Sequence, residues 1–451
     1  MVEENIKRPK IIIPILITIA FLIIYKAGSY ISLIPYAPTK IFPPYLANNL
    51  RFDLFALGIG PAILGFTITE CIFMIIPPLD KVRRAGTNGR KTMTIVAVIV
   101  SLIIACFNAK QILGGLAYAT FQGEQTKIIK DPYFLNYSIN FLFFIAGFLL
   151  LIYLCKIVSA KGIGNGFCLI FSYDILFTGY TNTSSILNSY MIANTTGVKV
   201  LLGICYIIAG FLIVRYLLKK VHIIGITDNK NNTTDFALPF FIQGLPVLTT
   251  TLILLYLPEQ FPTKLSENSG LGNLLRDYQS HIYIFLMIII SPIGYLIFCN
   301  KKRILNNLPK KIVSVNNKEL TKKIIIISYI TLIILPLPII TGHIPAIIPT
   351  VELIIFTAIF IDLISEFRFK KSHVFKEIID LDNVHLATYL KENLHEQNIE
   401  FYIQGYHYRK LFFFLQPLVK MKLLVKKEDR DSINNLISSF VGEDSKENFL
   451  V

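Results

Sequence analysis

Ten apolar runs, each of about twenty residues, dominate this 451-residue chain and are separated by short segments carrying charge, glycine or proline. A run of that length crosses the hydrocarbon core of a bilayer as a helix, where every backbone polar group must be satisfied inside the protein. With 53% apolar and only 16% charged residues, the chain is too apolar for a water-soluble protein of its size. It reads as a polytopic membrane protein. Spans are expected near residues 10–33, 54–77, 92–118, 136–157, 164–180, 197–218, 239–258, 280–299, 323–341 and 347–366. The first run follows Lys7, Arg8 and Lys10 with no small-residue cleavage site, so it is expected to be a retained span.

An even number of spans puts both termini on one side. Lys and Arg concentrate in the N-terminal tail and in the loops at Lys81–Lys91, Lys156–Lys161, Arg215–Lys230 and Lys301–Lys323, which makes that side cytoplasmic. The net charge of +15 does not point to DNA, because the basic residues flank spans instead of forming one aromatic-interleaved patch. Two loops, Arg215–Asp235 and Lys301–Lys323, are larger than topology needs. Their cations Arg215, Lys219, Lys220, Lys301, Lys302, Arg303, Lys310 and Lys311 are candidates for docking an anionic partner such as ribosomal RNA or an acidic motor surface, or for contact with anionic lipids.

No constellation for chemistry assembles. Glu70, Asp174, Glu352 and Asp362 are acids on spans, but none of the seven histidines lies mid-span to complete a proton relay. The six cysteines have neither metal nor disulfide spacing, so no metal or cofactor is expected. KGIGNG at Lys161–Gly166 lacks both the spacing and the preceding strand of a dinucleotide site. An enzyme is not expected. Glu70, Asn108 and Thr249 to Thr251 are polar positions on spans that either bond neighbouring helices or form a seam able to part.

The segment Phe52–Lys91 shows what the spans are for. Gly58, Gly60 and Pro61 loosen the second span where it begins, and such breaks persist in a bilayer only where protein or a water-filled cavity satisfies the freed backbone. A channel wall is the first reading. Six segments, in order along residues 7 to about 366, then match a known family: KRPKIIIPILITIAFLIIYKAGSYISLIP, FALGIGPAI, the turn GTNGRK, KGIGNG, ALP before the seventh span, and IDL ending the tenth. Through them the chain resembles SecY, the pore subunit of the bacterial protein-conducting channel.

The resemblance implies an all-α membrane protein with ten helices in two inverted five-helix halves. A polypeptide would pass between them through an apolar waist, which blocks ions by dewetting and offers no hydrogen bonds to a sliding chain. Carried over by position, the pore ring would be Ile59, Ile63, Phe167, Phe171, Leu248 and Ile355, and the lateral gate Glu70, Asn108 and Thr249. Implied partners are SecE-like and SecG-like small membrane subunits, unfolded secretory and membrane polypeptides, and SecA or a ribosome. The implied place is the bacterial inner membrane. Three features depart from the family. Glu70 is an acid in the gate, Phe42–Arg51 with Pro43 and Pro44 leaves little room for a plug helix, and Lys301–Lys323 lacks a Gly-Arg-Pro-Gly-like element. A secondary transporter and a non-conducting paralogue are the alternatives, though the predicted waist lacks a transporter's convergent polar site.

After Glu366 the composition turns soluble. Residues 1–368 read as the channel domain, 369–379 as a linker and first strand, with Phe367–Lys371 a basic juxtamembrane linker, and 380–445 as a small cytoplasmic α+β domain. Its expected order is β-α-β-β-α: strands at Val374–Ile379, Ile399–Gln404 and Met421–Lys426, a helix capped by Asp382 or Asn383 with Leu386, Leu390 and Leu394 on one face, and a closing helix at Glu428–Ser439. This order resembles a small prokaryotic domain associated with signal transduction, and it would dock on the channel's own cytoplasmic loops.

Overall fold

In the computed structural model the described residues are 12–31, 53–83, 86–117, 120–121, 124–125, 134–191, single positions between 205 and 215, 223–228, 233–237, 312–315, 321–322, 350–372, 375–381, 384–411, 418–426, 428–429 and 433. They fall into two compact units, Met1–Phe171 with Pro417–Val419, and Ser172–Gln416 with Lys420–Val451.

The first unit contains α1 (Ile12–Gly28), α2 (Gly60–Ile75), α3 (Pro77–Arg83), α4 (Gly86–Ala117), a two-residue hairpin of β1 (Thr120–Phe121) and β2 (Glu124–Gln125), α5 (Phe134–Lys161) and the start of α6 (Gly166–Met191). Gly89–Lys110 and Ser138–Lys161 are long and apolar enough to cross a bilayer, and α1, α2 and Gly166–Phe177 are shorter apolar helices. GTNGRK, expected as a turn, is corrected: it is the helical start of α4.

The two faces of α4 differ in burial. Ala97, Ser101, Ala105 and Ala109 recur every fourth residue and are fully buried, while Ile95, Ile99, Ile103 and Phe107 recur at the same spacing and are all more than half exposed. With no water to drive helices together in lipid, close backbone approach through small residues does that work. Gly65 of α2 lies so close to Ser101 that an added Cβ would overlap Ser101's backbone nitrogen and Cα.

The second unit contains the rest of α6, a three-stranded antiparallel sheet ordered β4-β3-β5, and the C-terminal region. The strands β3 (Ile223–Asp228) and β4 (Thr233–Ala237) come from one basic loop and β5 (Ile312–Val315) from the other, so the two basic loops are tied into one sheet. α7 (Thr350–Ser372) runs through the expected tenth span from Thr350 on and continues past it. The sequence expectation of a linker at Phe367–Lys371 is therefore corrected to helix. Glu366 and Lys370 pair at 2.6 Å with i,i+4 spacing, and contacts to the tail hold the last turns.

Beyond α7 come β6 (Phe375–Leu381), α8 (Val384–Glu396), β7 (Phe401–Gln404), α9 (Tyr406–Leu411) and β8 (Met421–Lys426). The sheet is antiparallel with β8 central, ordered β6-β8-β7. Val384, Ala387, Leu390 and Leu394 of α8 cover the buried face of Met421, Leu423 and Val425 on β8. Asp382, Asn383 and the side chain of Leu386 lie outside the described residues; of the expected closing helix Glu428–Ser439, Glu428 and Asp429 are described as turn, which corrects its start, and Ile433 as helical and fully buried. The expected β-α-β-β-α order is corrected by α9, which stands between the second and third strands. α8 also lies against β4 of the loop sheet.

Candidate functional site

The start of α2 is built by a turn clamped from three sides. Asp53 accepts the Phe55 amide on its carboxylate (2.8 Å) and the Ala56 amide on its carbonyl (3.0 Å), and Gly58 closes the turn by donating to the Phe55 carbonyl (2.8 Å). Gly58 adopts φ +55, a conformation costly for a residue with a side chain. Phe55 stacks on Tyr25 of α1 at 5.5 Å, over Gly28, and Gly147 of α5 leaves room for the Leu54 carbonyl. Asp53, Tyr25 and Phe55 escaped the sequence reading. A local D-x-F pattern ahead of a glycine was the available signal. Ile59 then stands as N-cap of α2 and Pro61 in its first turn, where a missing N–H costs nothing.

KGIGNG is a second such device, between α5 and α6. Gly164 has φ +78, and Thr18 of α1 accepts the Ile163 amide at 2.9 Å. Asn165 Oδ1 accepts the Phe167 amide at 3.0 Å, capping α6, and Ser159 accepts the Gly166 amide at 2.8 Å. These bonds satisfy backbone groups that the break would otherwise leave bare in an apolar setting.

Of the six ring candidates, Ile59 (4% exposed), Phe167 (4%) and Ile355 (2%) are buried, while Ile63 and Phe171 are half-buried. The outward positions of α2 are different residues, Ile72 and Ile75, at 42% and 55% exposure. Leu248 lies outside the described residues. Glu70 is buried (1%) on α2. Asn108 is half-buried on α4, and its Oδ1 is shielded from solvent with no hydrogen-bond partner among the described residues. Thr249 lies outside the described residues, as do Lys219, Lys220, Lys301, Lys302, Arg303, Lys310, Lys311 and the would-be plug segment Phe42–Arg51. Arg215 is helical and exposed.

Asp362, taken from the sequence as an acid on the tenth span, is a latch. Its Oδ1 accepts the His407 amide (3.1 Å) and lies 2.8 Å from His407 Nδ1, its Oδ2 accepts the Tyr408 amide (2.9 Å), and its carbonyl accepts the Tyr402 hydroxyl (2.9 Å). One turn on, Glu366 accepts Gln404 Nε2 at 3.1 Å, and Phe369 packs on Tyr402 with ring centres 5.4 Å apart. The carboxylate thus caps α9 from 45 residues away in sequence. Burial and the carboxylates of Asp362 and Glu366 push the Tyr402 hydroxyl well above its ordinary 10, so it stays a donor.

Behind this latch, burial and the neighbouring Lys391 lower Lys410 from 10.5 to about 8, with Glu392 opposing in part. Between pH 8 and 10 the unfolded lysine holds a proton that the folded one has released, so stability of this region climbs with pH across that window. Above 10 the trend turns, because Tyr402 and Tyr406 are pushed above 10 by burial and unfolded tyrosines give up their protons first. Lys410→Met is expected to remove the climb and to stabilise the region below pH 8 by about 2–3 kcal/mol. Denaturant midpoints for proteolytic release of the C-terminal region, taken from pH 7 to 10, check this.

A family model described as SecY matches residues 53–377. The chain is 26% identical over 209 residues to the protein translocase subunit SecY of Buchnera aphidicola subsp. Schizaphis graminum, covering 43% of this chain and 46% of that relative, about half its length. It is 24% identical over 335 residues to the protein translocase subunit SecY of Helicobacter pylori J99, covering 65% and 76%. In fold it is similar, with TM-score 0.56 and 16% identity over 82% of this chain and 95% of the other, to a SecY structure concerned with the plug domain that stabilises the closed state of the translocation channel.

Proposed function

Since the chain belongs to the SecY family, we propose that it is the pore subunit of a protein-conducting channel, moving unfolded polypeptides across the bacterial inner membrane and hydrophobic segments sideways into it. The observation that carries this reading is the family match across residues 53–377, which includes the second-span start, both helix breaks and the tenth span. It does not favour a secondary transporter. Burial of Ile59, Phe167 and Ile355, against the exposure of Ile72 and Ile75, supports the pore ring of Ile59, Ile63, Phe167, Phe171, Leu248 and Ile355.

Ten spans in two inverted halves, with both termini cytoplasmic, complete the arrangement. Glu70, Asn108 and Thr249 line its lateral gate. A SecE-like subunit, with or without a SecG-like one, clamps the halves, and a SecA-like motor or a ribosome supplies the push. The joining of both basic loops in one sheet supports a single cytoplasmic docking face built from them. Residues 380–445 form an accessory domain seated on α7 and on that loop sheet.

The test is ion leak. In reconstituted vesicles, Ile59→Asn with Ile63→Asn is expected to raise resting conductance at least tenfold, because polar groups hold water where an apolar waist sheds it. Unchanged conductance would remove these two residues from the waist.

A further inference from the structure

A cavity of about 670 Å³ opens beside the latch, lined by the last turns of α7 together with α8, β7 and α9. Its size lies in the range of small-molecule sites. Two kinds of side chain meet there. Phe369, Phe401 and Tyr402 give it aromatic walls, and Arg368 and Lys391 stand at it from α7 and α8.

The unpaired charge at the lining is mostly positive. The acid at the cavity, Glu400, is bound by Lys426 at 2.5 Å, which draws it out of the balance. Lys391 Nζ lies 5.2 Å from the centre of the Tyr406 ring, and buried Lys410 Nζ lies 5.3 Å from the same centre. Two ammonium groups on one ring repel, Glu392 offsets that repulsion in part, and an anion on the Lys391 side would offset more of it. Arg368 adds a planar fork suited to two oxygens of one phosphate. Its position matters too: Arg368 follows Glu366 where the apolar run of α7 gives way to Arg368, Lys370 and Lys371. A cavity at that level is open to solutes from the cytoplasm and to headgroups from the bilayer surface.

We propose that this cavity binds a phosphate-bearing ligand, its phosphate held by Arg368 and Lys391 and its apolar or aromatic part laid against Phe369, Phe401 and Tyr402. Because its walls come from both α7 and the C-terminal region, occupancy tightens the hold of one on the other. The phosphate comes either from a soluble nucleotide or from an anionic lipid headgroup.

The experiment uses the full chain in nanodiscs and follows amide exchange of the segment Lys391–Tyr406. One arm adds AMP to phosphatidylcholine discs; the other replaces phosphatidylcholine by phosphatidylglycerol without nucleotide. Slowed exchange in the first arm assigns a soluble phosphate and in the second a lipid headgroup, and Arg368→Ala with Lys391→Ala should weaken whichever effect appears at least tenfold. Unchanged exchange of Met421–Lys426 without ligand shows that the double variant is folded. Should it unfold, inorganic phosphate must reverse the protection given by AMP or phosphatidylglycerol in the unaltered protein. No protection by either probe, full protection in the folded variant, or failure of phosphate to compete overturns the proposal.

Discussion

Asp362→Ala is expected to release the C-terminal region from α7, at a cost of about 3–5 kcal/mol to that contact. The estimate follows from what the carboxylate does. It accepts two backbone amides, His407 and Tyr408, and pairs with the His407 ring, all in a site where Asp362 is 8% exposed. Hydrogen bonds to a charged group are worth about 1.5–3 kcal/mol each, and removal leaves the donors of α9 without their acceptor. Neutral Asp362→Asn keeps the shape and loses the charge, so it should fall between alanine and the native protein. Amide exchange at His407 and Tyr408, which should rise by two to three orders of magnitude in the alanine variant, is the measurement. Protection that survives the substitution would mean that Glu366 with Gln404 and Phe369 with Tyr402 hold the region alone.

Gly65→Ala is expected to separate α2 from α4. The new Cβ would meet the Ser101 backbone, which cannot swing aside as a side-chain tip can, and the whole of the Ala97, Ser101, Ala105 and Ala109 seam would have to open. Overpacking of this kind costs about 1–3 kcal/mol, and Gly65→Val should exceed that. Gly60→Ala is the internal control, since a Cβ there meets nothing within 4 Å. Thermal aggregation midpoints of the purified protein should drop for Gly65→Ala, drop further for Gly65→Val and stay within error for Gly60→Ala. Equal behaviour of the two alanine variants would contradict the seam.

The contrast between these two sites also marks what could be read from the chain. The break at Gly58, Gly60 and Pro61 was legible because its cause is local, with glycine supplying φ +55 at position 58, whereas the turn at KGIGNG went unread although Gly164 at φ +78 and Asn165, which caps the helix that follows, are as local. The strand at Met421–Lys426 was legible because alternation of Met421, Leu423 and Val425 against lysines is itself a local pattern. α9 was not. YHYRKL is aromatic and strand-like in composition, and its helix is secured by a carboxylate 45 residues away. The same distance hid the role of Asp362, which looked like a costly acid in lipid until its partners came from the C-terminal region. The extension of α7 through Phe367–Lys371 was misread for the same reason, since a basic run after a span is normally a linker and only packing against Tyr402 and Gln404 makes it helix.

A single crosslinking measurement bears on the channel itself. A photoreactive amino acid is placed in turn at Ile59, at Phe167 and at the outward-facing Ile99, and a secretory polypeptide is stalled midway by a folded domain at its end. Strong adducts from positions 59 and 167 with none from 99 are the result predicted for a chain passing between these side chains. Adducts absent from 59 and 167, in membranes where the same polypeptide is demonstrably engaged, would contradict a pore at this place.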